Sequence, residues 1–122
     1  MLKLKFSKPN MKTYMDGKIT VCKYQCEIIN NENKSVIDSF TATGTAKCAP
    51  EDNLSPEVGR KLADSRAKMS AYKTASHLLT NDEVDFEIEA LRKNMQMLDF
   101  VFFMRYLKQK ENTHIKNICK EI

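Results

Sequence analysis

Hydrophobic and polar positions alternate along the first third of the chain, and the period then lengthens. In "LKLKF", Leu2, Leu4 and Phe6 fall on one side and Lys3 and Lys5 on the other, the period of two expected of a half-buried strand. Asp16-Gly17 is a two-residue turn signal, because glycine meets the positive φ that such turns require. The segment before it and the run from Lys18 to Ile29 are therefore predicted to form a hairpin. Asn30 to Lys34 reads as a second polar turn. Alternation resumes in "SVIDSFTATGTAKC", with Phe40, Ala42, Gly44 and Ala46 on one face and Thr41, Thr43, Thr45 and Lys47 on the other. The first of these faces is mostly small, which would let a helix lie close against it.

The segment "APEDNLSPEVGRK" marks the switch from strand to helix. Ser55 is a good N-cap, Pro56 suits the first helical position, where its missing donor is unused, and Glu57 favours the positive end of the dipole. A first helix is expected over 56–79, with His77 near its end able to interact with the last carbonyls. Thr80 and Glu83 have capping-box spacing, so a second helix is expected over 81–110, followed by a short tail, 111–122. The expected fold class is α+β: an N-terminal antiparallel sheet, mainly residues 1–48, followed by two long helices packed against it, in a single oligomeric domain covering 1–122.

Oligomerisation is expected from the second helix. Phe86 or Ile88, Leu91, Met95, Leu98 and Phe102 recur at spacings of three and four and form the stripe expected to meet the sheet. The stretch "MLDFVFFMRYL" then widens this stripe, because Phe100, Val101, Phe103, Met104 and Leu107 fall outside it. A helix that is apolar all round must be buried all round. Either the tail or the first helix supplies the second cover, or another subunit does, and the second alternative is preferred.

Composition adds limits. A chain of 122 residues buries roughly 65% of its unfolded surface, enough for one core, and 42% hydrophobic with 30% charged residues is ordinary globular composition. "MLKLKF" lacks the unbroken apolar run of a signal peptide, and "MLDFVFFMRYL" falls short of the roughly 20 residues a membrane span needs. A cytoplasmic protein with reduced cysteines is expected. Cys22 and Cys26 share a strand face but lie about 13 Å apart at ~3.3 Å per residue, too far to hold one metal ion, so buried thiols are the better reading. His77 and His114 have no ligand-like spacing, and no metal or cofactor is expected.

Charge runs in blocks, +5 over residues 1–23, −4 over 24–59, +4 over 60–79, −4 over 80–104 and +3 over 105–122, for a net +4. Such alternation would let neighbouring copies face each other, and it disfavours a single polyanion groove because the bases are dispersed. Glycines 17, 44 and 59 are isolated, so no phosphate loop exists, and no nucleophile elbow appears. The acidic residues from Asp82 to Glu89 suit a solvated helix start. Arg105, near the expected subunit boundary, is either an interface ion pair, the favoured reading, or an anchor for an anion. Arg66 lies close to the buried stripe of the first helix, where its stem can cover apolar surface. Arg60 stands one turn from a helix start that favours anions, although a solvated surface charge is the more frequent explanation.

The stretch "TATGTAKCAPEDNLSPEVGRKLADSRAKMSAYKTASH" resembles a family of small phage proteins that counter the bacterial Thoeris defence by sequestering its signal. The likeness lies in a strand with a Thr-Gly-Thr-Ala core, an acidic proline-containing loop, a Gly-Arg helix start and a Ser-Arg-Ala-Lys mid-helix, followed by a long Met/Phe-rich second helix. It covers about Lys18 to Leu107 as pattern and order. The resemblance implies a non-enzymatic sponge that forms dimers, some members going on to hexamers, and that holds a cyclic ADP-ribose isomer intact at subunit boundaries in the host cytoplasm. Some members also bind cyclic oligonucleotides at a second site.

On that reading Arg66 and Arg105 would meet phosphates, Arg60 would be a further cation, Phe86 and Met97 would flank the base, and Asn94 would meet its hydrogen-bonding edge. Two other readings compete. One is a basic nucleic-acid-binding module of phage origin, suggested by a pI near 8.9 and the basic first and last segments. The other is a protein whose oligomer surface blocks a host enzyme.

Overall fold

The computed structural model describes residues 2–15, 18–47, 56–80 and 88–120. Strands β1 (Leu2–Phe6), β2 (Asn10–Tyr14), β3 (Ile19–Asn30) and β4 (Val36–Lys47) form one antiparallel sheet, and helices α1 (Pro56–Thr80) and α2 (Ile88–Lys120) follow. This is the α+β arrangement the alternation predicts. The central strand is β3; β4 pairs with it along one side, and β1 and β2 share the other side end to end.

The junction of β1 and β2 carries a detail that alternation alone does not reveal. Phe6 pairs with Cys26, yet Asn10 pairs with Lys23, so the outer strand holds one residue more than β3 across Ser7–Pro9. A bulge of one residue reverses which positions face inward, because side chains alternate with a period of two. Leu2, Leu4 and Phe6 point to the core before it, and Met11 does so after it. Pro9, which cannot donate to a ladder, sits at this break on an edge strand, where proline is tolerated. Ser7 repairs part of the break: its N–H donates to the Gln25 carbonyl (2.9 Å) and its Oγ accepts from the Gln25 N–H (3.0 Å).

Both predicted hairpins form. Lys18 N–H donates to the Met15 carbonyl across the Asp16-Gly17 turn, whose two residues lie outside the described part. At the second turn Lys34 adopts φ 60°, Asn30 Oδ1 accepts from the Glu32 N–H and Asn33 Oδ1 accepts from the Ser35 N–H, the side-chain-to-backbone bonds that make asparagine a turn former.

Helix α1 lies directly on β3 and β4. Ala63, Ala67, Ala71 and Ala75 recur every four residues and are fully buried, so the helix presents a narrow, nearly side-chain-free ridge. That ridge meets the small face of Ala42, Gly44 and Ala46, as the composition of β4 predicts. At Gly44 the approach is so close that a Cβ would overlap the Ala63 carbonyl oxygen and the Ala67 nitrogen.

Helix α2 runs beside α1 and meets the sheet at β1. Two expectations for it need correcting. Phe102, assigned to the sheet-facing stripe, is 60% exposed, while Phe100, Val101 and Met104 are buried with Ile28 and Ala75. The stretch is apolar on every side, so spacing alone could not fix its rotation; packing against Ile28 and Ala75 decided it. The helix also continues ten residues past Lys110, because Ile118 is buried among Cys22, Tyr24 and Ala67, with Ile115 packed beside it. That burial outweighs the weak helix propensity of Asn112, Thr113 and Asn117. Among the described residues no helix is long and apolar enough to cross a membrane.

Candidate ligand-binding site

Two features bring functional side chains together. The first is a cavity of about 420 Å³ between β1 and the middle of α2, lined by Leu2, Leu4, Phe6, Tyr72, Phe100, Phe103, Met104 and Leu107, with Lys3 and Asn31 also in its wall. Its volume lies in the range of small-molecule sites, and its make-up, apolar walls with a few polar groups, is the usual one. Local sequence places each wall. The period of two in β1 turns Leu2, Leu4 and Phe6 inward, and α2 contributes Phe100, Phe103, Met104 and Leu107 at spacings of three, one and three. Phe6 is held edge-on between two tyrosine rings, 5.3 Å from Tyr24 and 5.9 Å from Tyr72.

Beside the cavity α2 carries an aromatic strip that the protomer leaves uncovered. Phe102, Phe103 and Tyr106 are all more than half exposed. The rings of Phe103 and Tyr106 stack with centroids 6.5 Å apart, and Lys110 Nζ lies 5.3 Å above the Tyr106 ring. Because Phe103 belongs to both strip and cavity wall, whatever covers the strip also reaches the cavity.

The second feature is a polar seam where α1 meets β3 and α2. Tyr24 donates its hydroxyl proton to Asp64, and Asp64 pairs with Lys68 at 3.1 Å. Burial raises the pKa of Tyr24 well above the ordinary tyrosine value, and the bond to Asp64 adds to the rise. Burial opposes the charge on Lys68, yet the hydrogen bond and charge of Asp64, with Glu111 and Tyr72 behind them, leave its pKa raised. Tyr72 is raised by burial and by the charge of Glu111. Of the two inward thiols, burial lifts Cys22 and carries Cys26 to about 11.

Ser65 and His114 meet in the same seam, Oγ to Nδ1 at 2.8 Å, and Glu111 Oε2 lies 3.5 Å from that same nitrogen. A nucleophile relay needs the serine and the acid on opposite ring nitrogens, so that one accepts the proton while the other is held. Here both partners crowd Nδ1, and Ser65 is only 1% exposed. The arrangement ties α2 to α1 and does not have the geometry of that relay. Among the described residues no group of three or more His, Cys, Asp or Glu side chains could hold a metal ion.

The residues expected at a site fall in different places. Arg66 Nη1 donates to the Thr45 carbonyl at 2.7 Å, bracing α1 on β4. Arg60 and Arg105 are exposed. The Ser65–His114 contact and the packing of Ala75 with Phe100, Val101 and Met104 make α1 and α2 antiparallel, so Arg105 stands level with residues near 74, roughly 12 Å along the axis from Arg66 at 1.5 Å per residue. One protomer therefore does not bring the three arginines together. Phe86 lies outside the described residues; Asn94 and Met97 fall on α2, but their side chains lie outside the described part. Sequence reasoning missed the cavity and the seam. The four-residue spacing of alanines on α1 was the available signal for a close helix–sheet contact, whereas Tyr24–Asp64 and Ser65–His114 span 40 and 49 residues with no local trace.

No protein-family profile, no curated protein and no solved structure matches this chain.

Proposed function

We propose that this protein captures a small nucleotide-like anion, of the cyclic ADP-ribose type, and holds it without chemical change, acting as a homo-oligomer. The observation that carries this reading is the aromatic- and methionine-walled cavity opening beside the uncovered Phe102–Phe103–Tyr106 strip. Such walls accept the face of a base, while Asn31 at the rim offers an amide for its edge. The resemblance to signal-sequestering phage proteins supplies the ligand class. The separation of Arg66 from Arg105 fits a pocket completed by a second copy, since cations that do not converge within one protomer can converge between two.

Self-association along α2 has support of its own. Two antiparallel copies of the strip would set Phe103 against Tyr106 and exposed Asp99 against Lys110, a two-fold arrangement in which apolar centre and charged ends are both satisfied.

The test is to incubate the protein with cyclic nucleotides and ADP-ribose isomers, remove unbound material, denature, and identify the released molecules by mass spectrometry. Recovery of one compound unchanged, at about one per protomer, supports capture. Its conversion to a product overturns the non-catalytic reading. Phe103→Ala should weaken retention at least tenfold while leaving the unfolding midpoint within a few degrees of the parent; full retention removes the cavity from the site.

A further inference from the structure

The face of the sheet turned away from the helices is basic. Lys3 and Lys5 on β1, Lys12 on β2, Lys23 on β3 and Lys47 on β4 are exposed and project from it, because their neighbours Leu2, Leu4, Phe6, Met11, Cys22, Tyr24 and Ala46 point into the core. Among the described strand residues of this face the acid is Glu27, directly opposite Lys5. In sequence these lysines span 45 positions. In the sheet, Lys12 and Lys23 are diagonal neighbours, since Lys12 pairs with Val21, and such pairs stand ~7–8 Å apart. The bulge at Ser7–Pro9 makes this possible: without its one-residue shift Lys12 would face the core and Met11 the solvent.

Around this pair the surface is dished. Asn10, Lys12, Tyr14, Val21 and Lys23 line a depression of about 50 Å³, and the Tyr14 ring beside it is half exposed. Exposed hydrogen-bonding side chains continue across the face at Gln25, Thr41 and Thr43. Lys3 and Lys5 repeat every second residue, ~6.6 Å at 3.3 Å per residue. Successive phosphates of a stacked strand rise about 3.4 Å, so lysines at this spacing can meet alternate phosphates.

We propose that this open sheet face binds single-stranded nucleic acid, with Lys5, Lys12, Lys23 and Lys47 on backbone phosphates and Tyr14 stacking on a base. Cations tracking a backbone combined with an exposed ring for stacking is the general chemistry of sequence-tolerant single-strand binding. The site is separate from the cavity, which lies on the helix side of β1, and it does not depend on the capture reading. Lys3 is left out of the test below because it also borders the cavity.

The experiment is fluorescence anisotropy of the full chain with labelled oligothymidylate, with a duplex of equal length as competitor, across a salt series. Phosphatidylserine vesicles serve as a second anionic probe. Four neutralised phosphates predict a slope of log affinity against log salt of about −3 at ~0.7 per phosphate. Changing Lys5, Lys12, Lys23 and Lys47 together to Gln should flatten that slope and lower affinity at least a hundredfold, and Tyr14→Ala should lower it roughly tenfold with the slope unchanged. These positions are exposed, so circular dichroism of the variants should match the parent. The proposal is overturned by no binding at low salt, by the lysine variant binding as the parent does, by duplex competing as well as single strand, or by binding to vesicles without binding to oligothymidylate.

Discussion

Gly44 on β4 and Ala63 on α1 meet backbone to backbone, with no room between them for a side chain. This contact sets the distance of α1 from the sheet and, through the alanine ridge on the same helix, the position of α2. Because the obstructing atoms belong to a helix backbone and not to a flexible side chain, they cannot rotate aside. Gly44→Ala is therefore expected to destabilise the fold by about 3 kcal/mol, the upper part of the range for overpacking. Urea unfolding checks this, and a variant with the parental midpoint and slope would show that α1 is free to lift.

Stability should fall on the alkaline side. Tyr24, Tyr72, Lys68, Cys22 and Cys26 all hold their protons more tightly in the fold than their ordinary values of 10.0, 10.5 and 9.0 for tyrosine, lysine and thiol. A folded pKa raised above the unfolded one contributes stability that is complete below the unfolded value and is lost as pH rises through the folded value. The urea midpoint is therefore expected to be level, as far as these groups are concerned, up to about pH 9 and to decline above it. Tyr24→Phe should make the decline shallower, and an unchanged alkaline profile would remove Tyr24 as a contributor.

Thiol chemistry should separate the cysteines. Cys119 is exposed, whereas Cys22 and Cys26 are buried with raised pKa values, and only thiolate reacts. Alkylation at neutral pH followed by peptide mass spectrometry should label Cys119 at least tenfold faster than Cys22 or Cys26, with the difference disappearing in denaturant.

The aromatic strip gives a prediction about assembly. Phe102→Ser combined with Tyr106→Ser removes two rings that are each more than half exposed, so the fold should survive while self-association weakens at least tenfold. Sedimentation across a concentration series measures it. A parent chain that sediments as one protomer at every concentration would take the shared pocket away.

The end of α2 can be tested in the same way. Ile118 is buried at 3% exposure among Cys22, Tyr24 and Ala67, and Ile118→Ala should cost about 2–4 kcal/mol in urea unfolding. A merely surface-lying tail would lose almost nothing.

Much of the fold is legible in particular residues. Leu2, Leu4 and Phe6 announce a one-sided strand, Asp16-Gly17 and Asn30 to Lys34 announce the hairpins, and the small face of Ala42, Gly44 and Ala46 announces a closely packed helix. The candidate sites are less legible. Phe102 and Met104 are two positions apart in an apolar stretch, and nothing local says which faces inward. The sheet lysines look dispersed because a chain read in order hides which strands are neighbours.

The sequence by itself determined the strand and helix classes, the turns, and the surplus of apolar surface on α2, since each follows from periodicity and backbone preference acting over a few residues. The tertiary structure alone decided the rotation and length of α2, the Tyr24–Asp64 and Ser65–His114 pairings, and the gathering of lysines on one sheet face. Those depend on contacts between distant segments and on a one-residue bulge, and the free energy that selects them comes from burial shared among elements, which no single segment carries.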